Sequence, residues 1–336
     1  MRLFGRRREP SEAAAPHPEP PPSDPGSIGF SAETLPWLDR RFLEIDSYVD
    51  SIDGQDKGLL RGQLLHWAQF GYVVMPGAVE HSLIDDYLAD LEEALDRREL
   101  SIGLTIEGHG VCPLNECTPE QLAVKHKRVM DFHHVSRAGK QLALHPKIVG
   151  FLRHVFREPP LAMQTLTFVH GSEQHTHQDF PFVVPTHVPS QLAASWIALE
   201  DVHPDAGPLG YYPGSHTFPK FDWGNGLFLT PESTRDELEF AAFLDRQAEL
   251  MGLRAESFCP QKGDVFFWHA CLAHMGTRTN DPERTRRSLV THYSTTTGCP
   301  VDRRAADVEP VRLELNGGVM YRDPIHPEQE DILVRG

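Results

Sequence analysis

Gly263-Asp264-Val265-Phe266-Phe267-Trp268-His269-Ala270-Cys271-Leu272-Ala273-His274 is a short apolar run, opened by Gly-Asp and carrying two histidines. It reads as a buried strand. The same pattern recurs on either side of it. Gln164 to Val169, Ala193 to Leu199 and Ser288 to Tyr293 are short strand-like runs, and Gly207-Pro208, Pro213-Gly214, Gly263 and Asn280-Asp281-Pro282 punctuate the chain between them. Several short strands with such punctuation predict a sandwich or barrel over residues 155–300.

Upstream the period changes. Leu59, Leu64, Leu65, Trp67 and Ala68 predict a helix ending near Gly71, and Tyr72 to Met75 a strand before a Pro76-Gly77 turn. Leu83, Ile84, Tyr87, Leu88, Leu91, Ala94 and Leu95 recur at three- and four-residue steps, which is the core-facing side of an amphipathic helix. Residues 30–150 therefore read as a mainly helical support for the barrel, sharing one core with it. An insertion at about 218–258 carries a helical stretch from Arg235 to Met251. Residues 30–336 read as a single domain of the α+β class. Pro10, Pro16, Pro18, Pro20, Pro21, Pro22 and Pro25 interrupt the preceding stretch, which lacks the apolar surface to offset its ordering entropy. Residues 1–29 read as a disordered tail.

A formal charge of −16 repels nucleic acid and anionic membrane over most of the surface, and no apolar run has the length of a membrane span. Nothing in the sequence points to a protein partner. The basic N-terminus lacks the apolar core of an export signal, which favours the cytoplasm. Five cysteines without a CxxC spacing read as reduced and mostly structural.

The chemistry begins at His175-Thr176-His177-Gln178-Asp179. In extended chain, residues two apart point the same way, so His177 and Asp179 can present an imidazole and a carboxylate to one point. A histidine from a distant strand would complete a two-His, one-carboxylate triad, which leaves positions open on an octahedral iron(II). His269 and His274 are the candidates. Five residues apart in one strand, they face opposite sides, and parity alone does not choose between them. Downstream, Arg286 and Arg287 open the run to Tyr293. A guanidinium there could pair with the far carboxylate of a dicarboxylate co-substrate, and only one of the two can face inward. Gln164 shares a face with Leu166 and Phe168, a polar group on an otherwise apolar side. It reads as a co-substrate contact or as an internally bonded amide.

At this point the chain resembles the phytanoyl-CoA dioxygenase family, which includes ectoine hydroxylase. The resemblance runs over roughly residues 69–295. It is carried by Phe70 to Gly77, by His177-Gln178-Asp179, by Trp196 to Asp201 leading to Gly207-Pro208-Leu209 and Pro213-Gly214-Ser215-His216, and by Trp268-His269 through His274 to Arg286. The resemblance implies a double-stranded β-helix (a jelly-roll, cupin-like barrel), Fe(II) and 2-oxoglutarate. It implies His177, Asp179 and His274 as metal ligands, with His269 structural or facing substrate. Arg286 rather than Arg287 matches the co-substrate anchor, and Trp196 stands where the family often lines the co-substrate pocket. Met275 departs from a common glycine. Because Asp179 is retained, where related halogenases carry a small residue, the implied reaction is hydroxylation of an unactivated C–H bond of a small molecule by O2, with succinate and CO2 released. Two other readings are a non-catalytic jelly-roll protein that binds a metal or small molecule, and a zinc hydrolase. The second lacks a general base beside the HxD. His175 reads as a residue supporting the ligands or touching substrate, and His216 as stabilising a turn.

Overall fold

A ten-stranded sheet organises the chain. Along its path Tyr72–Met75, Val265–His269, Ala193–Ala198, Ser288–Ser294, Leu161–Phe168, Lys127–Met130, Gly103–Ile106 and Gly110–Pro113 are successive antiparallel neighbours. A hairpin of Arg312–Leu315 and Gly318–Tyr321 adds to it, the latter strand parallel to Leu161–Phe168. The computed structural model describes residues 27–28, 37–40, 43–54, 56–183 and 191–335.

Side chains alternate across this sheet, and the two faces meet different partners. Val73, Leu104, Val129, Ile197, Phe267 and Leu289 belong to the larger core. They pack with Leu64 and Trp67 of helix Lys57–Phe70, Ile84 and Leu91 of helix His81–Arg97, and Ile148 and Phe151 of helix Pro146–Phe156. The intervening residues Tyr72, Val74, Met130, Leu166, Phe168, Trp196, Phe266, Trp268 and Val290 form a second core. Leu209, Tyr211 and Phe258 of a smaller sheet close it. That sheet is ordered Glu256–Phe258, Leu209–Tyr211, His274–Gly276. The layers are thus helices, large sheet and small sheet, and the site lies between the sheets. Each fully buried large apolar side chain contributes roughly 1.5–3 kcal/mol to holding them together.

Local chemistry fixes the helix ends. The Asp56 carboxylate accepts from the amides of Gly58 and Leu59 and starts the first long helix, and Gly71 ends it at φ 79°. A Cβ on Gly71 would lie 2.7 Å from His216 Nδ1, so this position needs glycine for its left-handed backbone and for its packing. The insertion helix, Glu237–Leu250, opens with a capping box between Asp236 and Glu239. Phe221, Trp223, Phe240 and Leu244 form a separate cluster that also covers Ala273, beside His274.

Three expectations change in detail. The run from Gly263 to His274 is not one strand. It ends as Val265–His269, turns through residues 270–273, and restarts in the other sheet as His274–Gly276. Residues 30–150 supply four strands of the large sheet as well as helices, and the sheet continues past residue 300. The run that Arg286 and Arg287 open becomes a regular strand only at Ser288. Most of the proposed tail lies outside the described residues; within it, Ser27 and Ile28 pair antiparallel with Phe221 and Lys220. All five cysteines are free. Among the described residues no helix is long and apolar enough to cross a membrane.

Candidate active site

His177 and His274 face each other across a single antiparallel bridge, each amide donating to the other's carbonyl oxygen at 2.9 Å. The segment 175–179 is not a regular strand beyond its one bridge, yet His177 and Asp179 point to one place. The amide of Asp179 donates to the Ala270 carbonyl (3.0 Å), and the Gln178 side-chain amide donates to the Cys271 carbonyl. These bonds tie the HxD segment to the turn that delivers His274.

The three side chains converge. Asp179 Oδ1 lies 3.8 Å from His177 Nε2 and 3.6 Å from His274 Nε2. One ligand atom from each residue falls within 4.8 Å of the others. The orientation of both rings is set from behind. His177 Nδ1 donates to the His175 carbonyl (2.8 Å) and His274 Nδ1 to the Leu272 carbonyl (3.0 Å). A carbonyl only accepts, so the proton sits on Nδ1 and the Nε2 lone pair points into the site. Burial, the largest influence, pushes His177 down to about 3. Burial pushes the Asp179 carboxyl up, but the three imidazoles around it, of His274, His292 and His177, outweigh that and hold the group well below the ordinary carboxylate range. A neutral imidazole beside an ionised carboxylate is the state a metal requires.

Two residues on the inner sheet face meet the other carboxylate oxygen, and neither was singled out from sequence. Trp268 Nε1–H donates to Asp179 Oδ2 at 2.7 Å, and His292 Nε2 stands 3.3 Å from the same oxygen. The signal was available. Trp268 follows Phe266 by two, and His292 follows Val290 by two, so both share the face that looks toward the small sheet. His269, one residue beyond Trp268, lies on the opposite face. It packs near Trp67 and His216, and its Nδ1 accepts from the Cys271 amide. His216 Nε2 lies 3.3 Å from the Ala68 carbonyl oxygen.

A cavity of about 270 Å³ holds the triad together with Gln164, Trp196, Arg286 and His292. Arg286 is 3% exposed, and its Nε has no hydrogen-bond partner. No carboxylate among the described residues pairs with it; its guanidinium stands 5.4 Å from the Phe168 ring centre and 5.8 Å from that of Trp196. Burial lowers it to about 10, so it stays charged at neutral pH. Arg287 instead faces outward, 3.8 Å from both Glu92 and Glu200. The amide of Gln164 lies 3.1 Å from His292 Nδ1, so it is an internally bonded group that also lines the cavity. A wider cavity of about 330 Å³ adjoins this one and shares Arg128, Phe168, His177, Phe182 and Glu237 with it; exposed His175 lines its wall.

A second group of possible ligands, Asp131, His133 and His134, lies toward the helices. There the Thr165 amide donates to Asp131 Oδ1, and the Thr165 hydroxyl bonds His133 Nδ1. The positive charge of Arg304 acts on all three. Those bonds to Thr165 set it apart from the triad, whose histidine Nε2 atoms line a cavity.

The model of the family described as phytanoyl-CoA dioxygenase (PhyH) matches residues 67–288. No curated protein sequence matches. Among solved structures, the fold is similar to that of the epimerase SnoN of nogalamycin biosynthesis, in complex with Fe3+, alpha ketoglutarate and nogalamycin RO. The TM-score is 0.54 at 22% identity, covering 72% of this chain and 86% of SnoN. It is also similar to the alpha ketoglutarate dependent carbocyclase SnoK of the same biosynthesis, with TM-score 0.54, 19% identity, and 81% and 98% of the two chains covered. EctD from S. alaskensis in its apoform gives TM-score 0.50 at 18% identity, over 81% of this chain and 85% of EctD. With two thirds of its length matched by the family model, the chain belongs to the phytanoyl-CoA dioxygenase family of Fe(II)/2-oxoglutarate-dependent oxygenases.

Proposed function

We propose that this protein is an Fe(II)/2-oxoglutarate-dependent dioxygenase that hydroxylates an unactivated C–H bond of a small molecule, on a jelly-roll barrel formed by the large and small sheets. One observation carries the reading. A two-His, one-carboxylate set with both Nε2 atoms free shares a cavity with a fully buried guanidinium that has no carboxylate of its own. The triad fits iron(II) in donor type, protonation and number. The unpaired guanidinium fits the far carboxylate of 2-oxoglutarate.

In this reading His177, Asp179 and His274 bind the metal, Trp268 and His292 hold Asp179 so that Oδ1 faces it, and Arg286 fixes the co-substrate. Trp196 and Gln164 line the co-substrate's side of the cavity and limit water there. Bound iron and 2-oxoglutarate supply O2 activation coupled to formation of succinate and CO2. The wider cavity takes the primary substrate, with His175 in its wall. Hydroxylation is favoured over halogenation because Asp179 occupies the position a halide would need. SnoN is named as an epimerase and SnoK as a carbocyclase, so the outcome on this scaffold is set by the substrate's placement. The test is anaerobic Fe(II) titration followed by 2-oxoglutarate and O2, with succinate measured. Tight 1:1 iron binding and succinate release support the reading. Metal and ligand binding without succinate release, across a metabolite panel, would make this a binding protein. A cytoplasmic location and an independent Pro-rich tail belong to the same proposal.

A further inference from the structure

Arg128 is the second guanidinium of the cavity that holds the triad, beside Arg286. The strand Lys127–Met130 places Arg128 and Met130 on the inner face of the large sheet, with Val129 packed on the helix side. Arg128 pairs through its backbone with Phe168 and Thr105. Its half-buried side chain lines both cavities, at the passage between the triad and the outer space. Among the described residues its guanidinium has no hydrogen-bond or ion-pair partner. Two carboxylates act on it from a distance: Glu237, which also lines both cavities, is exposed, so water screens its attraction, and Asp179 belongs to the triad.

The neighbouring charges are already committed. Lys127 Nζ donates to the carbonyls of Leu122 and Val124. His126 Nδ1 lies 3.0 Å from Glu107, and Glu173 accepts from the Thr279 amide at 2.9 Å. One guanidinium is thus left to receive an anion, beside the apolar rings of Phe182 and Phe240. A partly desolvated guanidinium favours a planar oxyanion that it can bind through two parallel hydrogen bonds. Among the described residues lining this outer cavity, a chain of phosphates would find this one uncommitted guanidinium, and Glu107, Glu173 and Glu237 nearby.

Building on the oxygenase reading, we propose that Arg128 determines substrate specificity and that the primary substrate is a small carboxylic acid with an apolar body, its carboxylate on Arg128 and its reacting carbon toward the triad. The site is not one for a coenzyme A thioester.

The experiment uses the full chain loaded with Fe(II) and saturating 2-oxoglutarate under anaerobic conditions, so that Arg286 is already occupied. The probes are acetate, benzoate, phenylacetate and cinnamate, each paired with its primary amide, and binding is read by ligand-observed NMR. At least one aromatic acid should bind about tenfold or more tightly than its amide, the scale of a lost charge-assisted pair. In Arg128→Gln that ratio should fall to about one, and Arg128→Lys should restore part of it. No acid preferred over its amide in the native protein overturns the proposal. So does a preference that survives in Arg128→Gln. If Arg128→Gln instead raises the Kd for 2-oxoglutarate, the arginine serves the co-substrate, and the proposal is equally overturned. A native protein that binds neither iron nor 2-oxoglutarate would fail in the loading step and strike the oxygenase reading itself.

Discussion

Replacing Arg286 with methionine should stabilise the empty protein and cripple its hold on 2-oxoglutarate. The guanidinium is 3% exposed and has no anionic partner among the described residues. Burial lowers it from its ordinary value to about 10. At about 1.4 kcal/mol per tenfold, keeping it charged in the folded state costs about 3 kcal/mol at neutral pH. The sign follows from the direction. The depressed value means that folding works against the charged form at every pH below about 10, and the penalty fades only above that. Methionine fills a similar space without a charge, and such replacements are often stabilising by about 1–4 kcal/mol. In a chain of this size the apo Tm should rise by a few degrees, at roughly 2 °C per kcal/mol. The bound state reverses the effect. Loss of a charge-assisted pair worth roughly 1.5–3 kcal/mol raises the KM for 2-oxoglutarate about tenfold to a hundredfold. The assay is a pair of melting curves, with and without 2-oxoglutarate at fixed Mn(II), beside a succinate-release titration. The native protein should melt higher with co-substrate, and the variant should not. Arg287→Ala, which removes only half-exposed contacts to Glu92 and Glu200, should leave both measurements nearly unchanged. An Arg286→Met protein with native KM, or one that melts well below the native apo form, would refute the reasoning.

Three further outcomes are expected. Alanine at His177, Asp179 or His274 should abolish tight Fe(II) binding in equilibrium dialysis, whereas His269→Ala should retain the metal and lose stability instead; the reverse pattern would reassign the ligand. Trp268→Phe keeps the ring but removes the donor at 2.7 Å from Asp179 Oδ2, so Fe(II) affinity should fall by about tenfold to a hundredfold with little change in Tm, and an unaltered affinity would mean that His292 suffices. Gly71→Ala should cost about 1–2 kcal/mol for its left-handed backbone, and more from the approach to His216, measured as a shift in the urea midpoint; an unshifted midpoint would show that this turn is not constrained.

The element boundaries that sequence patterns captured best are those with strong local causes. The helix ending at Gly71 and the one covering Leu83 to Leu95 are fixed by apolar periodicity, and the first also by a glycine cap, all visible within a few residues. The insertion helix starts at a capping box that can be read directly. What could not be read is non-local. The strands Gly103–Ile106, Gly110–Pro113 and Lys127–Met130 are four residues each and too short for a period to stand out. They become strands because Lys127–Met130 pairs with Leu161–Phe168, whose edge a helical support would have left open. Arg128 was overlooked for that reason, since its inward direction exists only once its strand is recognised.

The choice between His269 and His274 shows how the remaining ambiguity is resolved physically. Treated as one strand, the segment sends the two histidines to opposite faces and gives no reason to prefer either. The chain instead turns at residues 270–273 and crosses from the large sheet to the small one. Alternation then applies only up to His269, where it does decide. Phe266 and Trp268 face the second core, so His269 must face the helices with Val265 and Phe267. His274 enters on a different sheet, and its direction is set by its bridge to His177 and by the Leu272 carbonyl behind its ring. The turn that broke the strand pattern is therefore what brings the imidazole to Asp179. The same break leaves Trp268, one residue before His269, as the donor that orients the carboxylate. A single run of sequence thus supplies a packing histidine, a carboxylate clamp and a candidate ligand, separated by one change of face and one change of sheet.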